Sequence, residues 1–195
     1  MSSVHDAAQY FIRRAHEEGN LITHLKLQKL CYYAQGYALA LSNEPMFEEE
    51  IEAWEHGPVV RALFDEYRSF RRSPIPPPEG PLEMEPWRRR MLEMVQQRYG
   101  WMPAWELRNQ THLESPWQEA WLSDDPRPVL SIQSMKIFFR TTLRGQRLSP
   151  APKAKPELLK TVEEDNALRE ATARGRADLR AGRKVSWTGS SGRAV

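Results

Sequence analysis

The sequence predicts a mainly α-helical domain over residues 1–145, with at most a short β element. Two observations support this fold class. Apolar residues recur at helical spacing through most of the first 143 residues, and only one short stretch alternates as a strand does. The aromatic residues also concentrate in this region, because the last 52 residues contain no Phe or Tyr and a single Trp. The chain therefore divides into an aromatic body and a segment too poor in apolar residues to build a core of its own.

Two helices open the body. The first covers Ser3–Glu17, with Ser3 as its N-cap and Asp6 three residues later, a pairing typical of helix starts. The second runs from Thr23 to about Leu41 and carries a continuous apolar stripe. The stripe consists of Leu27, Leu30, Cys31, Ala34, Ala38 and Leu41. Three polar residues are predicted to lie off it, namely Lys26, Gln28 and Lys29.

A short strand and a third helix follow. The strand is predicted within FEEEIEAW, residues 47–54, where apolar and polar positions alternate loosely. Gly57 and Pro58 then indicate a break, and Pro58 suits the first turn of a helix, where no amide donor is needed. We expect this third helix to direct five side chains toward the core: Val59, Leu63, Phe64, Tyr67 and Phe70.

The second half of the body consists of four more predicted helices. Residues 73–86 hold six of the fifteen prolines, so they are expected to cross the surface in an extended conformation. Helices are then predicted over Trp87–Tyr99, over Pro103–Asn109, and from Ser115-Pro116, where Ser115 would be the cap. The last begins at Ser131 or Ser134 and ends near Gly145. Its inward side chains would be Ile132, Met135, Phe138, Phe139 and Leu143.

The C-terminal part is predicted to be a separate region. Residues 146–156 form a Pro/Lys linker, and residues 157–195 form a basic helix followed by a flexible tail. From Arg144 onward there are 12 basic and 6 acidic residues, whereas residues 1–143 hold 16 basic and 20 acidic ones. A segment of this composition is typical of regions that order on a partner. Its candidate partner-binding residues are Leu168, Leu179, Arg180, Arg183, Lys184, Val185 and Trp187.

No residue pattern points to catalysis or to a cofactor. Cys31, the only cysteine, lies on the apolar stripe, where a buried thiol behaves as a small hydrophobe. The five histidines show no metal-ligand spacing, and there is no phosphate-binding glycine loop or nucleophile elbow. We therefore expect no enzyme, no metal and no cofactor. The absence of a signal peptide and of about 20 consecutive apolar residues predicts a cytoplasmic protein with no membrane partner.

Three segments of the body form a combined pattern: LKLQKLCYYAQGYALAL at residues 25–41, EAWEHGPVVRALFDEY at 52–67 and YGWMPAWELRNQTHLESPW at 99–117. Together they resemble the Panacea domain, the family of SocA-like antitoxins and phage-associated GepA-like proteins. Their order and spacing match as well as their content, and the resemblance extends over residues 4–143. By position, the family-motif residues are Gln28, Lys29, Tyr33, Gln35, Gly36, Trp54, Gly57, Pro58, Val59, Thr111, His112, Pro116 and Trp117.

The resemblance implies a compact helical domain that serves as the antitoxin half of a toxin–antitoxin or phage-defence module. Its partner would be the cognate toxin, neutralised by direct binding. Since antitoxins of chemically unrelated toxins share the pattern, the motif residues are expected to define the scaffold, with Trp54 and Trp117 largely buried. Two alternatives stay open, an adaptor that delivers the toxin to a protease and a DNA-binding regulator of its own operon.

Overall fold

The computed structural model describes residues 3–146 and confirms the mainly α-helical class. Within that range lie seven α-helices, a 3-10 turn at Arg68–Phe70 and one two-stranded antiparallel hairpin. The predicted linker and C-terminal region lie outside the described residues from position 147 onward. In chain order the elements are α1 (Val4–Glu17), α2 (His24–Leu41), β1 (Ile51–Trp54), β2 (Gly57–Val60), α3 (Arg61–Tyr67), α4 (Pro86–Tyr99), α5 (Ala104–His112), α6 (Ser115–Trp121) and α7 (Ile132–Gln146).

Helix α2 is the centre of the fold. It packs against α1, α4, α5, α7 and β2, so that fifteen of its eighteen residues are buried. The expectation of a one-sided stripe is therefore wrong in two ways. Lys26, Gln28 and Lys29 are buried together with the apolar residues, while Leu41 is half exposed. A helix enclosed on all sides has no solvent face for its polar residues, and these three are instead accommodated by hydrogen bonds to backbone oxygens.

The predicted strand is present, but the residues after it do not begin a helix. Gly57 and Pro58 belong to β2, which pairs with β1 so that Pro58 lies opposite Ala53, and α3 begins only at Arg61. Pro58 fits this strand because the backbone groups of Pro58 and of Ala53, the residue opposite it, point outward from the hairpin and not toward each other. The Ala53 amide donates to Pro128 (2.7 Å) and the Pro58 carbonyl accepts from Lys29 (2.9 Å). The missing proline N–H is therefore not a missing ladder bond.

Both edges of the hairpin are covered. Along β1, residues 128–130 run beside the strand, where the Leu130 amide donates to the Ile51 carbonyl at 2.8 Å. Along β2, the outer edge meets side chains of α2. A two-stranded sheet is marginal in water and exposes unpaired backbone groups. Packing it between a loop and the central helix removes both problems.

Most helix boundaries follow the predicted signals. Asp6 Oδ2 accepts from the Ser3 amide at 2.9 Å, and α2 starts directly after Thr23. For α7, Ser131 rather than Ser134 is the cap, since its Oγ accepts from the Ser134 amide at 3.3 Å. At α6 the prediction is wrong, because Glu114 occupies the N-cap position and Ser115 is already helical.

The inward side chains of α3 and α7 are only partly those predicted, and Val59, although buried, belongs to β2 rather than to the third helix. Leu63 and Tyr67 are buried in α3, as are Met135 and Phe139 in α7. Four others are half buried: Phe64, Phe70, Phe138 and Leu143. Ile132 is 58% exposed, so its predicted inward position is wrong. It occupies the first residue of the helix.

A glycine at the centre of α2 is required for packing. The ring of Phe139 lies directly on Gly36, where an added Cβ would overlap it. We predict that Gly36→Ala lowers the free energy of unfolding by about 1–3 kcal/mol, because overpacking of a buried ring outweighs the helix preference of alanine. Gly145→Ala is the matched control in α7, where no atom lies within 4 Å of the added Cβ. Urea unfolding should show no loss in that variant, and equal stability of the two would contradict the proposed overlap.

Candidate functional site

The tip of the hairpin is held by side chains from three helices. Trp117 Nε1 of α6 donates to the Trp54 carbonyl at 3.1 Å. His112 Nε2 of α5 donates to the Glu55 carbonyl at 3.0 Å, and Lys29 Nζ of α2 donates to the Pro58 carbonyl at 2.9 Å. Buried carbonyls need such donors, since an unpaired one costs about as much as a lost hydrogen bond. The tip therefore depends on side chains that are distant in sequence.

Gln28 provides a fourth anchor. Its Oε1 accepts from the Val60 amide at 2.8 Å and its Nε2 donates to the Val60 carbonyl at 3.2 Å. This two-bond pairing resembles that of a neighbouring strand, so the side chain completes the outer edge of β2. We call Gln28, Lys29, His112 and Trp117 the hairpin clamp.

Lys29 is fully buried. Burial, followed by the nearby charge of Arg108, holds the pKa of its amine well below the ordinary value. The amine lies against Gly57, whose φ of +92° favours glycine. A Cβ on Gly57 would lie 2.7 Å from Thr111 Oγ1 and 2.9 Å from Lys29 Cε. Gly57 is thus required both by its backbone conformation and by the close approach of the lysine and the threonine.

His112 is neutral in this environment. Burial and, second, the charge of Arg108 lower the pKa of its ring to about 3. Because Nε2 bonds to a carbonyl oxygen, that nitrogen carries the proton of the neutral ring. In addition to its bond to the Glu55 carbonyl, the ring packs edge-on against Trp117, with 4.1 Å between ring centroids.

The two tryptophans of the motif differ in exposure. Trp117 is buried, as expected, with 7% of its surface exposed. Trp54 is only half buried. Its ring packs against Phe64 and lies under the guanidinium of Arg61, while its Nε1 donates to Glu52 at 2.8 Å. The Trp54 backbone enters the interior, and its side chain lies at the edge of the fold.

A buried carboxyl group lies beside the clamp. Glu114 Oε1 accepts from the Tyr33 hydroxyl at 3.0 Å, and Tyr33 stacks on Tyr99 with 4.0 Å between centroids. Burial raises the pKa of Glu114 from 4.5 to about 7, although hydrogen bonding, including the bond from Tyr33, opposes the shift. Among the described residues no cation forms an ion pair with it. The protonated form is therefore the one that the fold favours.

The remaining motif residues on α2 also make internal contacts. The Gln35 side chain accepts from the Met46 amide at 2.7 Å and donates to the Phe47 carbonyl at 3.0 Å, which orders the loop after α2. Gly36 lies under Phe139. Ten of the thirteen motif residues thus gather at the hairpin, and Tyr33, Gln35 and Gly36 lie along α2 outside that group. The candidate residues 168–187 lie outside the described part of the chain.

Three residues of this region were not found from the sequence. Glu114 reads as an exposed acid before a helix start, yet it is buried. His24 bonds to Gln28 at 3.0 Å, and burial lowers its pKa to about 4. Arg108 donates to the Glu55 carbonyl at 3.3 Å. Only the position of Glu114 inside a motif segment could have indicated a role, because burial of a charged residue leaves no periodic signal.

The described region holds no arrangement typical of a catalytic centre. Cys31 is buried, and burial raises the pKa of its thiol, which disfavours the nucleophilic thiolate. Among residues 3–146, no group of three His, Cys, Asp or Glu side chains is placed to hold a metal ion. Two adjoining pockets of about 370 and 360 Å³ lie between α1 and α4, and no motif residue lines either. Over the same range, no helix has the length and apolar character needed to cross a membrane.

Comparison with protein families finds a match to the part of the chain that contains the hairpin. The family model described as antitoxin SocA-like, Panacea domain, matches residues 27–118. The chain carries a SocA-like Panacea domain. The match extends from the first turn of α2 into α6, so it contains every residue of the hairpin clamp. No curated protein and no solved structure gives a significant match to the chain. In this Panacea domain, most of the predicted motif residues that have polar side chains hydrogen-bond to the domain's own backbone.

The buried carboxyl of the Panacea domain predicts an unusual pH dependence. The folded pKa of Glu114 is about 7 against 4.5 for the ordinary group. Its protonated form is favoured in the fold, so the parent loses stability as the pH rises from about 4.5 through about 7. Glu114→Gln cannot ionise. We predict that its unfolding free energy, minus that of the parent, increases by up to about 3 kcal/mol between about pH 5 and about pH 8.

Urea unfolding of both proteins at the two pH values measures this difference. His24 and His112 titrate in parent and variant alike, so their contributions cancel. Glu119→Gln changes an exposed carboxyl of α6 and is the matched control. A difference between Glu114→Gln and parent that does not vary with pH would contradict the raised pKa.

Proposed function

We propose that the chain is an antitoxin that neutralises a co-encoded toxin by direct protein–protein binding in the cytoplasm, with the helical body as the platform. The match to the SocA-like family over residues 27–118 carries the proposal. The same match indicates the class of the partner, because an antitoxin acts on a toxin.

The motif residues serve as scaffold in this proposal. Lys29, His112 and Trp117 each donate to a backbone carbonyl of the hairpin, and such internally used donors are poorly placed to recognise a partner. The buried state of Cys31 and the low pKa of His112 support a non-enzymatic role. Toxin contact is therefore assigned to exposed surface, where it can vary without disturbing the hairpin.

Co-expression tests the proposal. The product of the reading frame adjacent to this one is induced with and without the chain, and survival and toxin abundance are measured. We expect the chain to restore growth while toxin abundance stays constant, and the two purified proteins to co-elute. Restored growth with falling toxin abundance would favour the protease adaptor instead. Rescue through reduced transcription, with operator binding and no complex, would favour the DNA-binding regulator.

The same assay addresses the C-terminal segment and the enzyme alternative. We propose that the candidate residues between positions 168 and 187 add a second toxin contact, so a chain ending at Gly145 should bind about 100-fold more weakly, or about 2.7 kcal/mol. Unchanged binding would remove that contact from the proposal.

Cys31→Ala should rescue growth like the parent, whereas loss of rescue with an unchanged fold would revive a thiol nucleophile.

If Trp117 is a scaffold residue, its replacement should reduce stability and growth rescue together. Trp117→Ala removes a buried indole and its hydrogen bond to Trp54, and such a change typically costs ~3–5 kcal/mol. We predict a lower melting temperature and loss of rescue together, with partial return of rescue at lower growth temperature. Trp101→Ala, at a residue 36% exposed, is the control and should retain both. Lost toxin binding at an unchanged melting temperature would make Trp117 a contact residue instead.

A further inference from the structure

Exposed apolar side chains lie at both ends of helix α6. Leu113 and Leu122 follow the last residues of α5 and α6, and they are 80% and 79% exposed. These are the highest values for large apolar side chains in the described part of the chain. Trp121, the last residue of α6, is 37% exposed. Isolated exposed leucines are common on proteins, but a cluster that includes a tryptophan indicates an interaction site. We call Leu113, Trp121 and Leu122 the α6 patch.

The hydrogen bonds of α6 bring the patch together. Gln118 lies one helical turn before Leu122, and its Nε2 donates to the His112 carbonyl at 2.9 Å. Leu113 is attached to that carbonyl, so the two leucines flank Gln118 on neighbouring surface. Trp121 stacks on Trp117, with 5.2 Å between centroids and 14° between planes.

The α6 patch is also rigidly supported. Trp117 joins the hairpin through its bond to the Trp54 carbonyl, and α6 packs on both β1 and α7. An exposed apolar group held on a helix loses little conformational entropy when a partner binds. The stack beneath Trp121 therefore presents it in a fixed position.

The acidic residues near the patch indicate what kind of partner it would bind. Residues 109–126 contain four carboxylic acids and no Lys or Arg. Glu114 is buried, while Glu119, Asp124 and Asp125 are exposed beside the patch. The basic residues at either end of this stretch are directed elsewhere, because Arg108 donates to the Glu55 carbonyl and Arg127 pairs with Glu50 at 3.4 Å. The exposed charged residues of this stretch are thus all acidic, and we call Glu119, Asp124 and Asp125 the acidic rim.

We propose that the α6 patch is the body's toxin-binding face, and that it receives a toxin surface of apolar side chains ringed by Lys or Arg. The inference rests on the proposed antitoxin function and names the contact through which it would act. Apolar centres with charged rims are typical of protein interfaces, and Trp is enriched among the residues that dominate their affinity. The acidic rim would speed association with a basic partner, and it disfavours nucleic acid on this face.

Binding measurements on the full chain test the α6 patch. The probe is the purified product of the adjacent reading frame. We expect the double variant Leu113→Ser/Leu122→Ser and the single variant Trp121→Ala each to raise the Kd for the toxin at least ~30-fold. The double variant changes side chains about 80% exposed, so its melting temperature should stay at the parent value. Leu21→Ser, 47% exposed in the α1–α2 connection, is the matched control and should bind like the parent.

The acidic rim has its own readout. The double variant Asp124→Asn/Asp125→Asn should slow association and reduce its dependence on salt, because exposed charges act mainly on the rate of encounter. Association that is as fast and as salt-dependent as in the parent would overturn the basic character assigned to the partner.

Three outcomes separate this inference from the proposed function. If the parent does not bind the probe, the proposed function is wrong and the inference falls with it. If the parent binds and the leucine and tryptophan variants bind equally well, only the inference is wrong. If sedimentation shows that these variants lose self-association while toxin binding is unchanged, the patch joins two copies of the chain and the inference is overturned.

Discussion

The need to satisfy backbone carbonyls at the tip of a buried hairpin organises this fold. A short hairpin packed into a helical body places carbonyl oxygens in buried or part-buried positions, where they need donors from the protein. Trp54, Glu55 and Pro58 all do so, and each obtains a side-chain donor from a different helix. The three helices must therefore keep one relative placement for the hairpin to stay in position.

The most demanding of these donors is Lys29. Burying an amine costs free energy that its single carbonyl contact offsets only in part, and the lowered pKa expresses that cost. A long flexible side chain nevertheless reaches a carbonyl that the α2 backbone cannot. The absence of a side chain on Gly57 leaves room for that approach. The lysine and the glycine thus form one structural unit, although 28 positions separate them in the sequence.

This arrangement separates the residues that define the domain from those available to a partner. The clamp side chains point into the domain, while the α6 patch lies at the exposed C-terminal ends of α5 and α6. A scaffold of this kind tolerates change in exposed residues without a large effect on stability.

The sequence by itself determined the fold class, most helix boundaries and the position of the strand, since apolar periodicity and Gly, Pro and Ser signals are local properties. It also indicated the resemblance to the Panacea family and the position of Cys31 in the core. Only the tertiary structure decided that Gly57 and Pro58 form a strand, because a Gly-Pro pair fits a helix start equally well until its partners are known. The same holds for the burial of Lys26, Gln28, Lys29 and Glu114. These polar side chains are buried where a hydrogen-bonding partner is available, and each partner comes from a distant part of the sequence.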